Sequence, residues 1–330
     1  MNIYCTLFDS NYLDKGLVLY KSLCRCEDAF RLYVFTFDDR AREILAAEQL
    51  EHMVVVPLKE FETPELLKVK DERSRAEYCW TCTPWTIRHV LDRYHEPVCT
   101  YIDADMMFFS SPQPIFDDMR QQGCSTLITP HYFPDTPKAR KTARHVGTYC
   151  VEFNTFFNNK DGRKTLDWWA DRCLEWCFYA SPGTSEWYGD QKYLEEFPKR
   201  FPGVYICHQR GAGIAPWNAD QLRLVPGTMD VEVVATGERS PIYFCHFASI
   251  MHLTNHYVNA NSCVKDPSLH EVLYDTYMAA IRNERSYLAE KYGLDLCTRR
   301  RVTKNPFYAF YQRFISPLRY LRRLSDIYKI

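Results

Sequence analysis

The sequence predicts an α/β fold, a mostly parallel sheet flanked by helices, and three observations predict it. Short β-branched and aromatic runs alternate with amphipathic segments over the first hundred residues. Asp, Ser and Asn stand between the two kinds of segment, where they cap helices. The fourth run, Val98–Ile102, leads straight into Asp103-Ala104-Asp105, and sheets of this kind bind ligands beyond the carboxyl ends of their strands.

Residues 3–8 read as the first strand, and Asp9-Ser10-Asn11 caps a helix over 12–24. Residues 31–37 make a second strand, Asp38-Asp39 caps a helix running to about Leu50, and 52–56 make a third strand. Residues 60–75 are charged and read as irregular. A helix over 76–94 is expected to be interrupted at Pro84, which lacks an N–H and crowds the preceding turn. In the less regular second half, 125–129 and 149–157 read as strands, and 161–179 as a helix carrying Trp168, Trp169 and Trp176. Gly189-Asp190-Gln191 opens a short helix through Phe197. Residues 204–207 and 242–247 read as strands and 269–292 as a long helix. The expected division is a main domain, 1–265, and a helical C-terminal extension, 266–330.

Residues alternate faces along a strand, so Asp103 and Asp105 are expected on one side. Two adjacent carboxylates at a buried strand end repel each other and are costly to desolvate, and a divalent cation removes both problems. Oxygen ligands favour Mg²⁺ or Mn²⁺, which complete their shells with phosphates and water. Asp-x-Asp also occurs in surface turns, where each Asp binds local amides. Here none of the flanking residues 98–102 and 106–109 is charged, which favours the metal site. The chain has no Gly-rich phosphate loop of the dinucleotide or Walker type. Phosphate binding then rests on the metal and scattered donors, for which Lys70, Arg73 and Arg75 are candidates.

Composition is globular, with 46% hydrophobic, 25% charged and 15% aromatic residues. No segment approaches the roughly 20 apolar residues that span a bilayer, and residues 1–9 do not read as a secretory signal. The expected location is cytoplasmic, peripheral on the inner membrane face. The 14 cysteines then read as reduced thiols. Cys79-x-x-Cys82 and Cys24-x-Cys26 lack the second pair that structural zinc needs. Net charge is −1, but residues 299–330 carry +8 and the remainder −9. Phe307, Phe310, Tyr311, Phe314 and Ile315 share one helical face, and after Pro317 the stripe continues through Tyr320, Leu324 and Ile327. A basic, aromatic amphipathic segment suits an anionic membrane surface. The acidic body and the lack of a nucleic-acid motif argue against a nucleic-acid partner.

Tyr101-Ile102-Asp103-Ala104-Asp105-Met106 resembles the Asp-x-Asp motif of GT-A glycosyltransferases, which use nucleotide-sugar donors. The order of further elements is similar to that in glycosyltransferase family 8 and related bacterial lipopolysaccharide and capsule sugar transferases. The segment Leu7-Phe8-Asp9-Ser10-Asn11-Tyr12 looks like the one that holds the nucleoside there. Glu152-Phe153-Asn154-Thr155-Phe156-Phe157 resembles the strand whose Asn faces the sugar, and Gly189-Asp190-Gln191 the Asp-Gln pair beside the anomeric carbon. Tyr243-Phe244-Cys245-His246-Phe247 resembles the strand that brings a late His to the metal. The match spans roughly residues 1–250. It departs after His246, where Ala248-Ser249-Ile250-Met251 replaces the family's Gly, Lys and Pro-Trp; a Pro-Trp occurs earlier, at Pro216-Trp217. The family's lysine contact to the diphosphate therefore has no counterpart at that place.

The resemblance implies a GT-A fold, a Rossmann-like mixed, mostly parallel sheet with a C-terminal helical extension. It implies metal-dependent transfer of a sugar from a nucleoside-diphosphate donor, a UDP-sugar by preference, to a glycan or lipid-linked acceptor hydroxyl, with retention. Phe8, Asp9, Tyr12, Asp103, Ala104 and Asp105 would bind the donor, and Asp103, Asp105 and His246 would hold Mn²⁺ or Mg²⁺. Asn154 would bond sugar hydroxyls, Asp190 would orient hydroxyls, and Gln191 would stabilise charge at the anomeric carbon. No carboxylate stands where a covalent nucleophile would, which favours same-face displacement. His208 and Trp217-Asn218 are candidates for the acceptor cleft. Donor base, sugar and linkage stay open. Two other readings stand beside this one. A sugar nucleotidyltransferase would carry a Gly-rich, basic N-terminal loop where Asp9-Ser10-Asn11-Tyr12-Leu13-Asp14 stands. The other is a non-catalytic nucleotide- or anionic-surface-binding protein.

Overall fold

The computed structural model describes residues 1–252, 257–296 and 326–329. In chain order its strands and helices are β1 (Asn2–Phe8), α1 (Leu13–Cys26), β2 (Phe30–Thr36), α2 (Asp39–Glu48), β3 (Met53–Pro57), α3 (Leu58–Phe61), α4 (Pro64–Lys70) and α5 (Arg75–Arg93). Then come β4 (Val98–Ile102), β5 (Met106–Phe108), α6 (Gln113–Gln121), β6 (Thr126–Pro130), α7 (Pro137–Val146), β7 (Tyr149–Phe157), α8 (Lys160–Glu175), α9 (Phe197–Arg200) and β8 (Val204–Ile206). The last part holds β9 (Ala212–Ile214), β10 (Leu222–Leu224), β11 (Asp230–Val233), β12 (Arg239–Pro241), β13 (Phe244–His246), β14 (Met251–His252), β15 (Tyr257–Asn259), α10 (Pro267–His270), α11 (Thr276–Tyr292) and β16 (Ile327–Lys329).

A seven-stranded sheet in the order β3-β2-β1-β4-β7-β6-β8 forms the centre. Only β7 runs against its neighbours, antiparallel to β4 and β6, so the sheet is mixed but mostly parallel. β1 is buried along its whole length, as expected of a strand covered on both faces. Its alternation feeds two cores. Ile3, Cys5 and Leu7 pack with α5 and α8 residues such as Trp85, Ile87 and Trp169. Tyr4 and Phe8 pack on the other face with Leu13, Leu17 and Phe116.

Several boundaries differ from expectation for local reasons. Residues 60–75 are not irregular. Thr63 caps α4 by accepting from the Leu66 amide, Pro64 fills the first turn, and Phe61 and Leu66 are buried. α5 runs through Pro84 without interruption, with Cys82, Trp85 and Ile87 buried around it, so packing outweighs the roughly 3 kcal/mol a helical proline costs. The Trp-rich helix ends at Glu175, not 179, because Arg73 donates to the Cys173 and Leu174 carbonyls at 2.8 and 2.5 Å and satisfies that end. α6 and α7 lie in stretches where no helix was expected. The 269–292 helix is continuous but changes register through a π turn at 271–275.

The C-terminal helix lies across α1. Arg285 Nε donates to the buried Asp14 at 2.6 Å, and Tyr277 stacks on Phe247 at 3.7 Å. Phe307, Phe310, Tyr311, Phe314, Ile315, Tyr320 and Leu324 of the expected amphipathic stripe lie outside the described residues. Ile327 does not continue a helix. It belongs to β16, which pairs antiparallel with β15, and Asp326 beside it is buried against Ser262 (2.6 Å) and His270 (2.9 Å). Among the described residues no helix is long and apolar enough to cross a membrane.

Candidate functional site

The Asp103-Ala104-Asp105 segment forms the tight turn from β4 into β5 rather than the end of one strand. The Asp103 amide donates to the Glu152 carbonyl (3.1 Å), and the Met106 amide returns to the Asp103 carbonyl (3.3 Å). β5 then pairs antiparallel with β13, with Met106 opposite His246. The Asp105 carbonyl accepts from the Phe247 amide at 2.9 Å. These bonds, not strand alternation, bring two distant sequence segments together. His246 Nε2 lies 3.2 Å from Asp105 Oδ1 and 3.7 Å from Asp103 Oδ2. The Tyr101 hydroxyl donates to Asp103 Oδ1 at 3.0 Å.

Lys15, in the first turn of α1, places Nζ 3.5 Å from Asp105 Oδ2 and 3.9 Å over the Tyr12 ring. Tyr12 is 41% exposed at the mouth of the site. Asp9 caps the turn after β1 and pairs with Arg75 at 2.7 Å. Phe8 does not face this crevice. Its ring is in the core, so close to α1 that a Cβ at Gly16 would collide with it.

Burial pushes the Asp103 carboxyl up to about 6, with His246 opposing and Asp105 adding to the rise. Asp105 experiences the same burial, yet Lys15 and His246 hold it well below the carboxylate range. For His246, burial favours the neutral ring, but Asp105 and Glu152 keep it protonated well above its ordinary value.

Asp190 is 5% exposed behind the acidic pair. Burial, helped by the Asp103 charge and opposed by the Thr83 hydroxyl, pushes it up to about 8. Gln191 donates to the Val146 carbonyl at 2.7 Å and lies by His131. Asn154 sits opposite Tyr101 in the β4–β7 pairing. It donates to the Val151 carbonyl at 3.0 Å and leaves its buried Oδ1 unpartnered. The Trp217 ring meets His246 edge-on at 5.5 Å and His131 at 5.2 Å. Asn218 staples the loop, donating to the His131 and Gly213 carbonyls. His208 turns to Tyr205 and to Asp118 of α6.

All three basic candidates for phosphate have partners of their own. Lys70 pairs with Glu62 at 2.6 Å, and Arg73 is buried on the end of α8. Arg75 alone stands at the rim, through Asp9. Lys15 and Glu152 were not singled out from sequence. Lys15 lies one helical turn after Tyr12 and Glu152 two residues before Asn154, so helix and strand spacing already put each on the face of a candidate residue.

Ligand atoms of Asp103, Asp105 and His246 all lie within 4.8 Å of one another, as do those of Cys150, Glu152 and His246. The two carboxylates suit Mn²⁺ or Mg²⁺, and the imidazole nitrogen is a ligand that Mn²⁺ accepts more readily than the harder Mg²⁺. The burial and the Asp105 repulsion that together raise Asp103 are both relieved by a cation, so the residues fit the ion that the resemblance implies.

No protein-family model matches the chain. The Bacillus subtilis (strain 168) protein YfnF, itself uncharacterized, is 32% identical over 250 residues, 74% of this chain and 80% of YfnF. YfnD of the same organism, also uncharacterized, is 29% identical over 284 residues, 84% of this chain and 88% of YfnD. Among solved structures, an active-site mutant of LgtC, a galactosyltransferase, superposes with a TM-score of 0.51 at 14% identity. The superposition covers 76% of this chain and 89% of LgtC. The fold is therefore GT-A-like, a mixed, mostly parallel sheet flanked by helices with a C-terminal helical extension.

Proposed function

The chain belongs to the family of Bacillus subtilis YfnF, and from its site we propose that it is a metal-dependent glycosyltransferase. In this reading it moves a sugar from a nucleoside diphosphate, a UDP-sugar by preference, to a hydroxyl of a glycan or lipid-linked acceptor. The observation that carries the reading is the convergence of Asp103, Asp105 and His246 within 4.8 Å at the carboxyl side of the parallel strands, where such sheets bind ligands.

Asp103, Asp105 and His246 would hold Mn²⁺ or Mg²⁺, which when bound supplies Lewis-acid neutralisation of the departing diphosphate. Lys15 adds a fixed positive charge beside Asp105 and faces the same phosphates. That supplies the cation missing after His246. Tyr12, half-exposed, offers a ring to the base, with Asp9 and Arg75 at its edge. Asp190, held protonated at neutral pH by burial, donates a hydrogen bond to a sugar hydroxyl. Asn154 Oδ1, buried without a partner, accepts from another. Gln191 presents its amide dipole at the anomeric carbon. Trp217 walls the pocket against His246 and excludes water. With no free carboxylate assigned as nucleophile, the acceptor attacks on the face the diphosphate leaves, and configuration is retained.

The test is donor hydrolysis without acceptor. Purified protein is incubated with a panel of UDP-sugars and Mn²⁺, and UDP release is followed by chromatography. Slow release from one sugar, abolished by EDTA, is expected. No release from any nucleotide sugar, with any acceptor tried, counts against the reading.

A further inference from the structure

Glu152 has no part in the mechanism above, yet it touches both arms of the site. It lies on β7 with no solvent exposure. Its backbone carbonyl accepts from the Asp103 amide at 3.1 Å. Its Oε2 lies 2.6 Å from His246 Nδ1, while Oε1 is buried without a hydrogen-bond partner. Space for that second oxygen comes from Gly213 on β9, whose φ is +79° and whose Cβ, if present, would collide with Oε1. A fully buried carboxylate is expensive, and an apolar side chain of similar volume would fill the place at less cost.

The carboxylate gives what an apolar residue cannot. By accepting from Nδ1–H it orients the ring with Nε2 pointing at Asp105 Oδ1 (3.2 Å) and Asp103 Oδ2 (3.7 Å), and it keeps the proton on Nδ1 when a cation takes the place of the Nε2 proton. Metal-bound histidines commonly have their other nitrogen held in this way. We infer that Glu152 is a positioning residue, which locks the His246 ring so that Nε2, Asp103 and Asp105 face one divalent cation. The inference rests on the metal-dependent reading of the site. Gly213 belongs to the same arrangement, because a side chain there would displace Glu152 Oε1.

Cys150, on the same face of β7, forms a competing set with Glu152 and His246. An ion there would take Nδ1 and break the 2.6 Å bond, so the two arrangements exclude each other.

The test uses the full chain as wild type, Glu152→Leu, Glu152→Gln and Cys150→Ala, with folding checked by circular dichroism. Mn²⁺ affinity is measured by calorimetry, and the His246 ring proton is followed by NMR without metal. Glu152→Leu should weaken Mn²⁺ binding by about 10- to 100-fold. Glu152→Gln, whose amide oxygen still accepts from Nδ1–H, should recover most of it, and Cys150→Ala should bind as wild type. The hydrogen-bonded ring proton should be present in wild type and Glu152→Gln and lost in Glu152→Leu. Unchanged Mn²⁺ affinity in folded Glu152→Leu overturns the inference and leaves the metal reading standing. Equal losses in Cys150→Ala and Glu152→Leu also overturn it, by placing the ion on the Nδ1 side. Absence of Mn²⁺ binding by wild type overturns the metal reading and this inference with it. If Glu152→Leu does not fold, the wild-type ring proton decides, and its absence overturns the bond itself.

Discussion

Lys15 meets Asp105 at 3.5 Å from a helix turn that also presents Tyr12, so one element supplies both a ring and a charge to the donor. Lys15→Met should lower UDP affinity by roughly tenfold or more, since a hydrogen bond to a charged group contributes about 1.5–3 kcal/mol. Mn²⁺ affinity should hold or rise, because Asp105 loses a competing cation. Parallel titrations with Mn²⁺ alone and with UDP check this split, and equal loss in both would contradict it. Asp190 makes a pH prediction. Its native carboxyl keeps a proton up to about 8, whereas the unfolded chain releases it near 4. The native state thus binds the extra proton across that interval, and stability falls as pH rises through it. Asp190→Asn has no such penalty, at about 1.4 kcal/mol per pKa unit. Its melting temperature should gain on wild type from pH 4 to 8 and the gap should level off above. Thermal melts across pH 4–9 test this, and a constant gap would contradict the burial account. At this scale Asp103 and Asp105 stand out in sequence because uncharged apolar runs flank them, and the structure gathers them with His246. The Phe8 ring turns to the α1 side of the core, a direction that the resemblance of its segment to a nucleoside-holding one does not carry.

At the scale of elements, strands β1 to β4 were legible because each is a compact apolar run, and β1 and β2 lead straight into the capping residues Asp9 and Asp38. What sequence missed were contacts between elements. Pro84 stays inside α5 because the helix is packed between the sheet and α8, and no local propensity reports that packing. Arg73 reads in sequence as a candidate for phosphate, but its guanidinium closes α8 by reaching the Cys173 and Leu174 carbonyls a hundred residues away. Arg73→Met should destabilise the fold by about 2–4 kcal/mol, the cost of leaving buried carbonyls unsatisfied. Donor affinity should be unchanged. Urea unfolding with UDP titration checks both halves, and a loss of UDP affinity without loss of stability would return Arg73 to the site. The turn between β4 and β5 was likewise invisible in sequence, since the bonds that shape it come from Glu152 and Phe247.

For the whole molecule, charge segregation is the feature that sequence carried furthest, because it needs no contacts to be read. The basic segment begins beyond Leu296, which is buried, and the chain returns at Asp326, buried beside β16. On the proposed membrane role, Arg322→Gln with Arg323→Gln should weaken binding to anionic vesicles roughly 30-fold, at about 1 kcal/mol per basic residue. Salt should weaken it further. Co-sedimentation with phosphatidylglycerol vesicles against neutral ones tests this, and equal binding to both would contradict it. The central claim is that Asp103, Asp105 and His246 form a donor-binding metal centre. Calorimetry of UDP, with and without Mn²⁺, on wild type and Asp105→Asn tests it most directly. The account predicts tight binding by wild type only with Mn²⁺ and its loss in Asp105→Asn, whereas metal-independent binding, or equal binding by the variant, would contradict it.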